Sequence, residues 1–246
     1  MKTAECIINA RYLTVLTGAG VSAESGIPTF RGKDGLWNRY RPEELATPEA
    51  FERDPETVWR WYAWRMERVW AAQPNPAHIA FKELEDLGIL KALITQNVDD
   101  LHERAGSTRV LHMHGSLRVV RCVVCHRSYF LEKPPVVPPL PRCEGCGGLV
   151  RPGVVWFGEA IPEDVLQQAF YEASLSDVMI VAGTSAIVYP AAGLPLIVKR
   201  NGGVIIEINP EETPLTRNAD ISFRNKAGDA MEIILSHVRS IRASIF

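Results

Sequence analysis

The chain has 246 residues, of which 46% are hydrophobic and 23% are charged, and its formal net charge at pH 7 is −2. This length allows a full hydrophobic core, and no apolar run in the sequence is long enough to cross a bilayer. The nearly balanced charge gives no general reason to bind nucleic acid. We therefore expect a cytoplasmic globular protein without membrane or direct nucleic-acid partners.

The first predicted element is a strand over residues 11–17, which leads into Gly18-Ala19-Gly20 and a helix start at Ser22-Ala23-Glu24. Glycines allow a sharp turn and let a ligand approach the main chain, and a helix N-terminus favours a phosphate. The stretch predicts a pyrophosphate site. However, Ala23 stands where the G-x-G-x-x-G pattern has its third glycine, so a glycine-rich turn without a ligand is an equal alternative.

A long loop is predicted from Ser25 to Trp37, because this segment has glycines, a proline and aromatics but no regular periodicity. Phe30 could shield a reactive centre and Arg31 could contact a phosphate. The alternative is a surface loop that Phe30 and Trp37 pin into the core. Ordinary dinucleotide dehydrogenases place an acidic residue after the second strand, about 20 residues beyond the glycines. Here that distance falls near Arg39-Tyr40-Arg41 and no strand precedes it, which argues against that class.

Residues 48–72 predict a helical stretch, with Val58, Tyr62, Met66 and Val69 on a single apolar face. Arg65 falls within that face, where burying an unpaired charge would cost several kcal/mol. Two interpretations stay open. One is a structural ion pair or a snorkelling arginine, and the other is a Tyr-x-x-Arg pair presented to an anionic ligand.

A helix over residues 77–87 and a buried strand over residues 89–95 are predicted next. Gln96, Asn97 and Asp99 follow this strand, at the edge where open α/β sheets hold their ligands. Amide and carboxylate groups could hydrogen-bond a carboxamide. Turn formation and helix capping are the alternative for Asn97 and Asp99.

Residues 110–117 predict a further buried strand that carries His112 and His114 on the same side. A histidine with a near-neutral pKa at the carboxyl end of a strand is a suitable general base, although a lone histidine is more often a hydrogen-bonded core residue. We favour His114 because it is followed by Gly115.

Two C-x-x-C pairs, Cys122/Cys125 and Cys143/Cys146, are separated by seventeen residues, which is the spacing of a four-cysteine zinc ribbon. Four thiolate ligands leave the metal no open position, so we predict one structural Zn²⁺ that closes a small module.

The last third of the sequence predicts two more buried strands, over residues 177–181 and 203–208, each preceded by a helix-length segment. They end in Gly183-Thr184-Ser185 and Asn209-Pro210-Glu211, and a final helix begins near Ala227. Residues 151–159 are extended and apolar, typical of either a core strand or an edge strand that pairs with a peptide. This alternation of strands and helices predicts an α/β fold, a Rossmann-like parallel sheet with helices on both faces, plus the small zinc-ribbon module.

Together these motifs resemble the sirtuin family, the NAD-dependent protein deacylases. The resemblance covers nearly the whole chain, and the ordered set is far more specific than any single motif. It rests on Gly18–Arg31, Thr95–Asp99, His114-Gly115, the two C-x-x-C pairs, Val154–Glu159 and Gly183–Ser185. It implies NAD as a consumed co-substrate and acyl-lysine proteins or peptides as substrates.

The resemblance also implies a role for each site residue, and these roles are expectations. It implies His114 as the general base and Asn97 as a second catalytic residue. NAD is expected to contact Gly18, Ala19, Gly20, Ala23, Phe30, Arg31, Gln96, Asn97, Asp99, Gly183, Thr184, Ser185, Asn209 and Ala227. The substrate is expected to contact Tyr62, Arg65, Val154, Val155, Trp156, Phe157 and Gly158. Residues 1–118 and 151–246 would form the NAD-binding domain, and residues 119–150 the inserted zinc module.

The pair Tyr62 and Arg65 also resembles the sirtuin class that removes acidic acyl groups such as succinyl and malonyl. The products would be nicotinamide, O-acyl-ADP-ribose and free lysine. Two other classes remain as alternatives. A dehydrogenase would produce NADH, and a zinc-ribbon nucleic-acid binder would show a basic surface and strong salt dependence.

Overall fold

The computed structural model describes residues 2–32 and 35–244. Residues 1, 33, 34, 245 and 246, which fall within the predicted loop and domain ranges, lie outside the described residues. The helices are α1 (Lys2–Ile8), α2 (Ala19–Ala23), α3 (Pro42–Leu45), α4 (Pro48–Arg53), α5 (Pro55–Ala71), α6 (Pro76–Asp86), α7 (Leu101–Arg104), α8 (Glu163–Leu175), α9 (Leu194–Arg200) and α10 (Ala227–Ala243). The strands are β1 (Leu13–Thr17), β2 (Leu90–Thr95), β3 (Val110–His112), β4 (Gly115–Cys122), β5 (Ser128–Phe130), β6 (Val150–Val154), β7 (Val178–Ala182), β8 (Val204–Ile208) and β9 (Ile221–Phe223).

Six strands form a parallel sheet in the order β3-β2-β1-β7-β8-β9. The strand order reverses beside β1, which lies between β2 and β7. In this topology a crevice opens beyond the carboxyl ends of the strands at the reversal point. Thr17 pairs with Thr95 on one side and Ala182 on the other, so the three strands end at the same edge.

Helices cover both faces of this sheet, as predicted. On one face Val15 and Ile180 pack with Phe81 of α6 and Met231 of α10. On the opposite face the alternate strand residues, such as Leu16, pack against α8 and α9. Because successive strand residues point to opposite faces, continuous apolar runs are needed to fill both layers, and this is why β1 and β7 are buried throughout.

A second, antiparallel sheet has the order β5-β4-β6 and packs against α5 in a separate core. The Trp59 indole of α5 donates a hydrogen bond of 2.8 Å to the Val150 carbonyl of β6, which fixes the helix to the sheet. This sheet begins at Gly115 and ends at Val154, on either side of the predicted module bounds 119–150. Those bounds therefore stay a prediction.

Two predicted elements are divided in the structure. The helical stretch predicted over residues 48–72 consists of two helices, since Asp54 accepts a hydrogen bond from the Thr57 N–H and begins α5, with Pro55 at its first position. The strand predicted over residues 110–117 is also divided. Gly115 has a φ of +75° and turns the chain out of the parallel sheet into the antiparallel one. Among the described residues, no helix is both long and apolar enough to cross a membrane.

Candidate active site

A cavity of about 1000 Å³ lies at the carboxyl edge of the parallel sheet and reaches α5 and the segment after β6. All but one of the residues predicted to bind NAD or substrate, and the predicted base His114, line it. From the predicted set the cavity contains Gly18, Ala19, Gly20, Ala23, Phe30, Arg31, Tyr62, Arg65, Gln96, Asn97, His114, Val154, Val155, Trp156, Phe157, Gly158, Gly183, Thr184, Ser185, Asn209 and Ala227. Sequence reasoning missed other lining segments, among them Ile187–Pro190 and residues 212–214, because their sequences carry no motif.

The glycine turn is shaped by its contact with the loop after β7. Gly18 has an extended backbone (φ −132°), and a Cβ there would lie only 2.7 Å from the Thr184 Cβ. A Cβ on Gly20 would lie 2.8 Å from the Gly183 Cα. The N–H groups of Gly18 and Gly20 donate to the carbonyls of Ala182 and Gly183, so a phosphate cannot use them. Glycine is therefore needed here for close packing of two loops, which the sequence-based argument about free N–H groups did not include.

Asp99 is the predicted residue that does not line the cavity. Asp99 is 5% exposed, its carboxylate accepts a 2.9 Å hydrogen bond from the Ser22 hydroxyl, and burial raises its pKa. Ser22 Oγ in turn accepts a 3.1 Å hydrogen bond from the Asn97 amide. Asp99 thus orients Asn97 through Ser22. Sequence reasoning used Ser22 only as a helix start and missed this position.

Gln96 is fixed on the other side of the cavity. Its side-chain amide donates to the Thr184 hydroxyl at 2.9 Å, and so links the carboxyl end of β2 to the loop after β7. The same hydroxyl accepts from the Ala186 N–H, which closes that loop on itself.

The tautomer of His114 follows from its hydrogen bond. Its Nδ1 lies 3.0 Å from the Gln96 carbonyl, which can only accept, so Nδ1 carries the proton and Nε2 keeps a lone pair. Burial lowers the pKa of His114, against the opposing effect of this hydrogen bond. The side chain is therefore a neutral base that lines the cavity at neutral pH.

His112 differs from His114 in its hydrogen-bond partners and in the direction of its pKa shift. Both of its ring nitrogens have partners, the Asn97 carbonyl at 3.0 Å and the Glu103 carboxylate at 2.5 Å. Burial on its own lowers the pKa of His112, but the hydrogen bond and the charge of Glu103 raise it overall. His112 does not line the cavity.

Tyr62 and Arg65 lie together at the α5 side of the cavity. The Tyr62 hydroxyl accepts a 2.8 Å hydrogen bond from the Trp156 indole, which has no acceptor atom, so the Tyr62 proton remains available. The Arg65 guanidinium lies 4.7 Å from the Phe30 ring centroid and 4.8 Å from that of Trp61, and burial lowers the pKa of Arg65. Within residues 2–32 and 35–244, no carboxylate forms an ion pair with Arg65. The described residues therefore give no support to the interpretation of Arg65 as one member of a structural ion pair.

The four predicted zinc ligands converge at one point. The sulfur atoms of Cys122, Cys125, Cys143 and Cys146 all lie within 4.8 Å of one another, with Cys122–Cys146 at 3.5 Å and Cys125–Cys143 at 3.6 Å. A tetrahedral site with Zn–S bonds of about 2.3 Å requires sulfur separations near these values. The Tyr129 hydroxyl donates to Cys143 and lowers its pKa to about 6, which favours the thiolate. The cluster is consistent with a structural zinc.

The Sir2 family model matches residues 18–190. The chain belongs to the Sir2 family. A curated relative from Archaeoglobus fulgidus, NAD-dependent protein deacylase 1, is 68% identical over 238 residues, 97% of each chain. NAD-dependent protein deacylase from Thermococcus kodakarensis is 53% identical, over 98% of this chain and 96% of the relative.

Solved Sir2 structures share the fold closely. A Sir2 homolog in complex with NAD has a TM-score of 0.94 at 68% identity, covering 98% of this chain and 94% of the other. A Sir2 variant with a deacetylated p53 peptide and 3′-O-acetyl ADP ribose has a TM-score of 0.90 at 35% identity, covering 96% and 97%. These Sir2 structures hold the cofactor, the peptide and the product class that the resemblance implied.

Proposed function

We propose that this Sir2-family protein is an NAD-dependent protein deacylase that acts on acetyl-lysine and on lysines carrying acidic acyl groups such as succinyl or malonyl. The reaction would yield nicotinamide, O-acyl-ADP-ribose and free lysine. The deacylase activity is supported by the family match and by the curated relatives. The acidic acyl preference is supported by one observation: Arg65 lies beside Tyr62 in the cavity and has no carboxylate partner among the described residues.

NAD would lie along the sheet edge, where the cavity contains the predicted residues from Gly18 to Ala227. When bound, NAD supplies an electrophilic ribose carbon, because nicotinamide leaves from it. Asn97, held by Ser22 and Asp99, would orient the nicotinamide end. Gln96 would present its carbonyl side to the same region, because its amide nitrogen is held by Thr184.

His114 would act as the general base. Its Nε2 lone pair would accept the proton of a ribose hydroxyl, and the protonated ring would stay hydrogen-bonded to the Gln96 carbonyl through Nδ1. Because burial lowers the pKa of His114, the ring is neutral and ready to accept at physiological pH.

Phe30 and Arg31 would cover the reacting end of the cavity. Phe30 packs against Trp37 with ring centroids 5.2 Å apart and also contacts the Arg65 guanidinium. This position would let Phe30 exclude water from the reacting groups. Arg31 is exposed at the cavity wall, where it can meet a phosphate.

The substrate backbone would bind along the segment that follows β6, an edge strand of its sheet. The N–H groups of Val155 and Phe157 already donate to the carbonyls of His114 and Ala46, at 2.9 Å each. These bonds fix the segment at the cavity wall. The extended character predicted for residues 151–159 ends before the turn at residues 157–158, where Gly158 has a φ of +87°. An extended peptide would pair with the backbone groups that remain free before this turn.

The acyl chain would reach Tyr62 and Arg65. A terminal carboxylate there would gain a charge-assisted hydrogen bond from the guanidinium and a second bond from the Tyr62 hydroxyl. An acetyl group has no terminal carboxylate, so it would gain neither of these hydrogen bonds.

Arg65→Met tests this specificity. We expect kcat/KM for a succinyl-lysine peptide to fall, because one member of a desolvated charge pair is lost. The fall should correspond to a loss of about 2 to 5 kcal/mol in transition-state stabilisation. The value for the matching acetyl-lysine peptide should change little. Arg68→Met is the matched control, since Arg68 is on the same helix and lies over the Trp64 ring, outside the cavity lining. Equal losses on both peptides in Arg65→Met would show that Arg65 is structural.

A further inference from the structure

Glu207 is a buried carboxylate near the carboxyl end of β8. The residue is 1% exposed and does not line the cavity. Burying an ionised carboxylate is costly unless its oxygens are fully hydrogen-bonded. Glu207 receives hydrogen bonds from four side chains: Thr213 at 2.5 Å, Thr216 at 2.8 Å, Arg224 at 2.9 Å and Ser222 at 3.3 Å.

The hydroxyl partners also organise the loop that follows β8. Thr213 Oγ1 accepts from the Leu215 N–H, and Thr216 Oγ1 accepts from the Thr213 N–H. The Thr213 and Thr216 side chains therefore close a compact turn around the Glu207 carboxylate. The residues of this loop from Asn209 to Pro214 line the cavity.

Arg224 ties the network to a predicted NAD contact. Its guanidinium donates to Glu207, to the Thr216 hydroxyl at 3.0 Å and, more weakly, to the Asn209 carbonyl at 3.4 Å. The Asn209 side chain in turn donates to the Thr184 carbonyl at 2.8 Å. Glu207 thus lies at the centre of the hydrogen bonds that hold the 209–214 loop in position at the cavity.

We propose that Glu207 is a positioning residue for NAD: through Thr213, Thr216 and Arg224 it holds the 209–214 loop in the shape that receives the adenosine half of the cofactor. This inference rests on the proposed function, because it requires the cavity to bind NAD. It assigns no role in chemistry to Glu207. Loss of the carboxylate should weaken binding of the ADP-ribose part and leave turnover at saturating NAD nearly unchanged.

The test measures ADP-ribose affinity by calorimetry, and KM for NAD and kcat in parallel, for four proteins: the wild type, Glu207→Gln, Thr213→Val and Asp220→Asn. We expect Glu207→Gln to weaken ADP-ribose binding and raise KM for NAD by about tenfold or more, since small displacements of positioning groups have large effects. The kcat and the KM for peptide should stay close to wild type. Thr213→Val should shift both affinities in the same direction by a smaller factor.

Asp220→Asn is the matched control. Asp220 is also a hydrogen-bonded carboxylate of the β8–β9 region, but it accepts from Lys199 and from the Ile205 N–H at the other end of β8. Its substitution should leave ADP-ribose affinity unchanged. Wild-type affinity in Glu207→Gln, a loss confined to kcat, or equal losses in Glu207→Gln and Asp220→Asn would overturn the proposal. If Glu207→Gln does not fold, unchanged affinity in Thr213→Val overturns it. Failure of the wild type to bind ADP-ribose would instead overturn the proposed function.

Discussion

At the scale of single residues, the environment of a side chain decides its chemistry. His112 and His114 are two positions apart, and the sequence-based preference for His114 used only the following glycine. In the structure His112 has partners at both nitrogens, whereas His114 keeps a lone pair at Nε2. The partner Glu103 comes from α7, nine residues before His112. No local pattern around the two histidines contains that contact.

The pH dependence of activity follows from His114. The neutral ring is the active form and burial lowers its pKa, so kcat/KM for NAD should be flat near pH 7 and fall with a midpoint below the ordinary value of 6.5. His114→Ala should lose acyl-dependent turnover by about 10²- to 10⁴-fold. Rates of deacylated-lysine formation between pH 5 and pH 8 would measure both effects. Retained turnover in His114→Ala, or a midpoint above 6.5, would contradict the assignment.

Arg65 is a residue whose location the sequence pattern predicted but whose contacts it did not. The helical periodicity predicted that it lies near Tyr62, and its guanidinium is 5.4 Å from the Tyr62 ring centroid. Whether a carboxylate neutralises it depended on side chains far away in the sequence, and Phe30 and Trp61 contact it instead. Sequence reasoning could therefore identify the candidate and had to leave its partner open.

At the scale of elements, the failures of prediction have local causes. Periodicity continues across Asp54-Pro55, although a cap followed by a proline is itself a helix-start signal and could have separated α4 from α5. The division at Gly115 has no such signal. A Cβ at this position would lie 2.2 Å from the Gly153 carbonyl oxygen, so the turn depends on a strand that follows nearly forty residues later.

The zinc module is connected directly to the cavity at both ends. β4 begins immediately after His114, and β6 leads into the Val154–Gly158 segment. Cys122 ends β4 and pairs with Val150 of β6, so the cysteine cluster lies where the two strands are held together. Loss of the metal should therefore disturb the cavity although zinc takes no part in the chemistry.

Metal removal tests this connection. A strong chelator should abolish deacylation and lower the melting temperature, and stoichiometric zinc should restore both, because a closed four-thiolate site supports the fold of its module. Cys143→Ser should behave like the chelated protein, whereas Cys6→Ser, at a cysteine outside the cluster, should remain active. Full activity in a preparation shown to be free of metal would contradict a structural role.

At the scale of the whole molecule, the parallel fold was predictable because buried strands alternate with helices along the sequence. The site was harder, since it is assembled from residues between Gly18 and Ala227 at the point where the strand order reverses. The family resemblance supplied that set of residues, and periodicity alone could not. Residues 212–214 carry no motif, and their position depends on hydrogen bonds that Thr213 and Thr216 donate to the buried Glu207.

Two buried histidines should make the stability of the whole fold depend on pH. His78 and His102 are 0% and 1% exposed, with ring centroids 4.7 Å apart. Burial lowers the pKa of His78 to about 4 and that of His102 well below 6.5. Between these values and 6.5 the unfolded chain binds more protons than the folded one, so the free energy of unfolding falls as the pH is lowered.

For His78 alone, the loss between pH 7 and pH 5 should be roughly 2 kcal/mol. Urea unfolding at the two pH values should show this loss in the wild type and a smaller one in His78→Asn. His237→Asn, at a partly exposed histidine of α10, is the control and should keep the wild-type difference. An identical pH dependence in wild type and His78→Asn would show that His78 does not contribute.

The central claim is that cleavage of NAD is coupled to removal of an acyl group from lysine. Release of nicotinamide from NAD should be measured without peptide, with an acetyl-lysine peptide and with a succinyl-lysine peptide of the same sequence. We expect release only when an acylated peptide is present, with nicotinamide, deacylated lysine and O-acyl-ADP-ribose formed in equal amounts. Rapid release without peptide, or formation of NADH, would contradict the account.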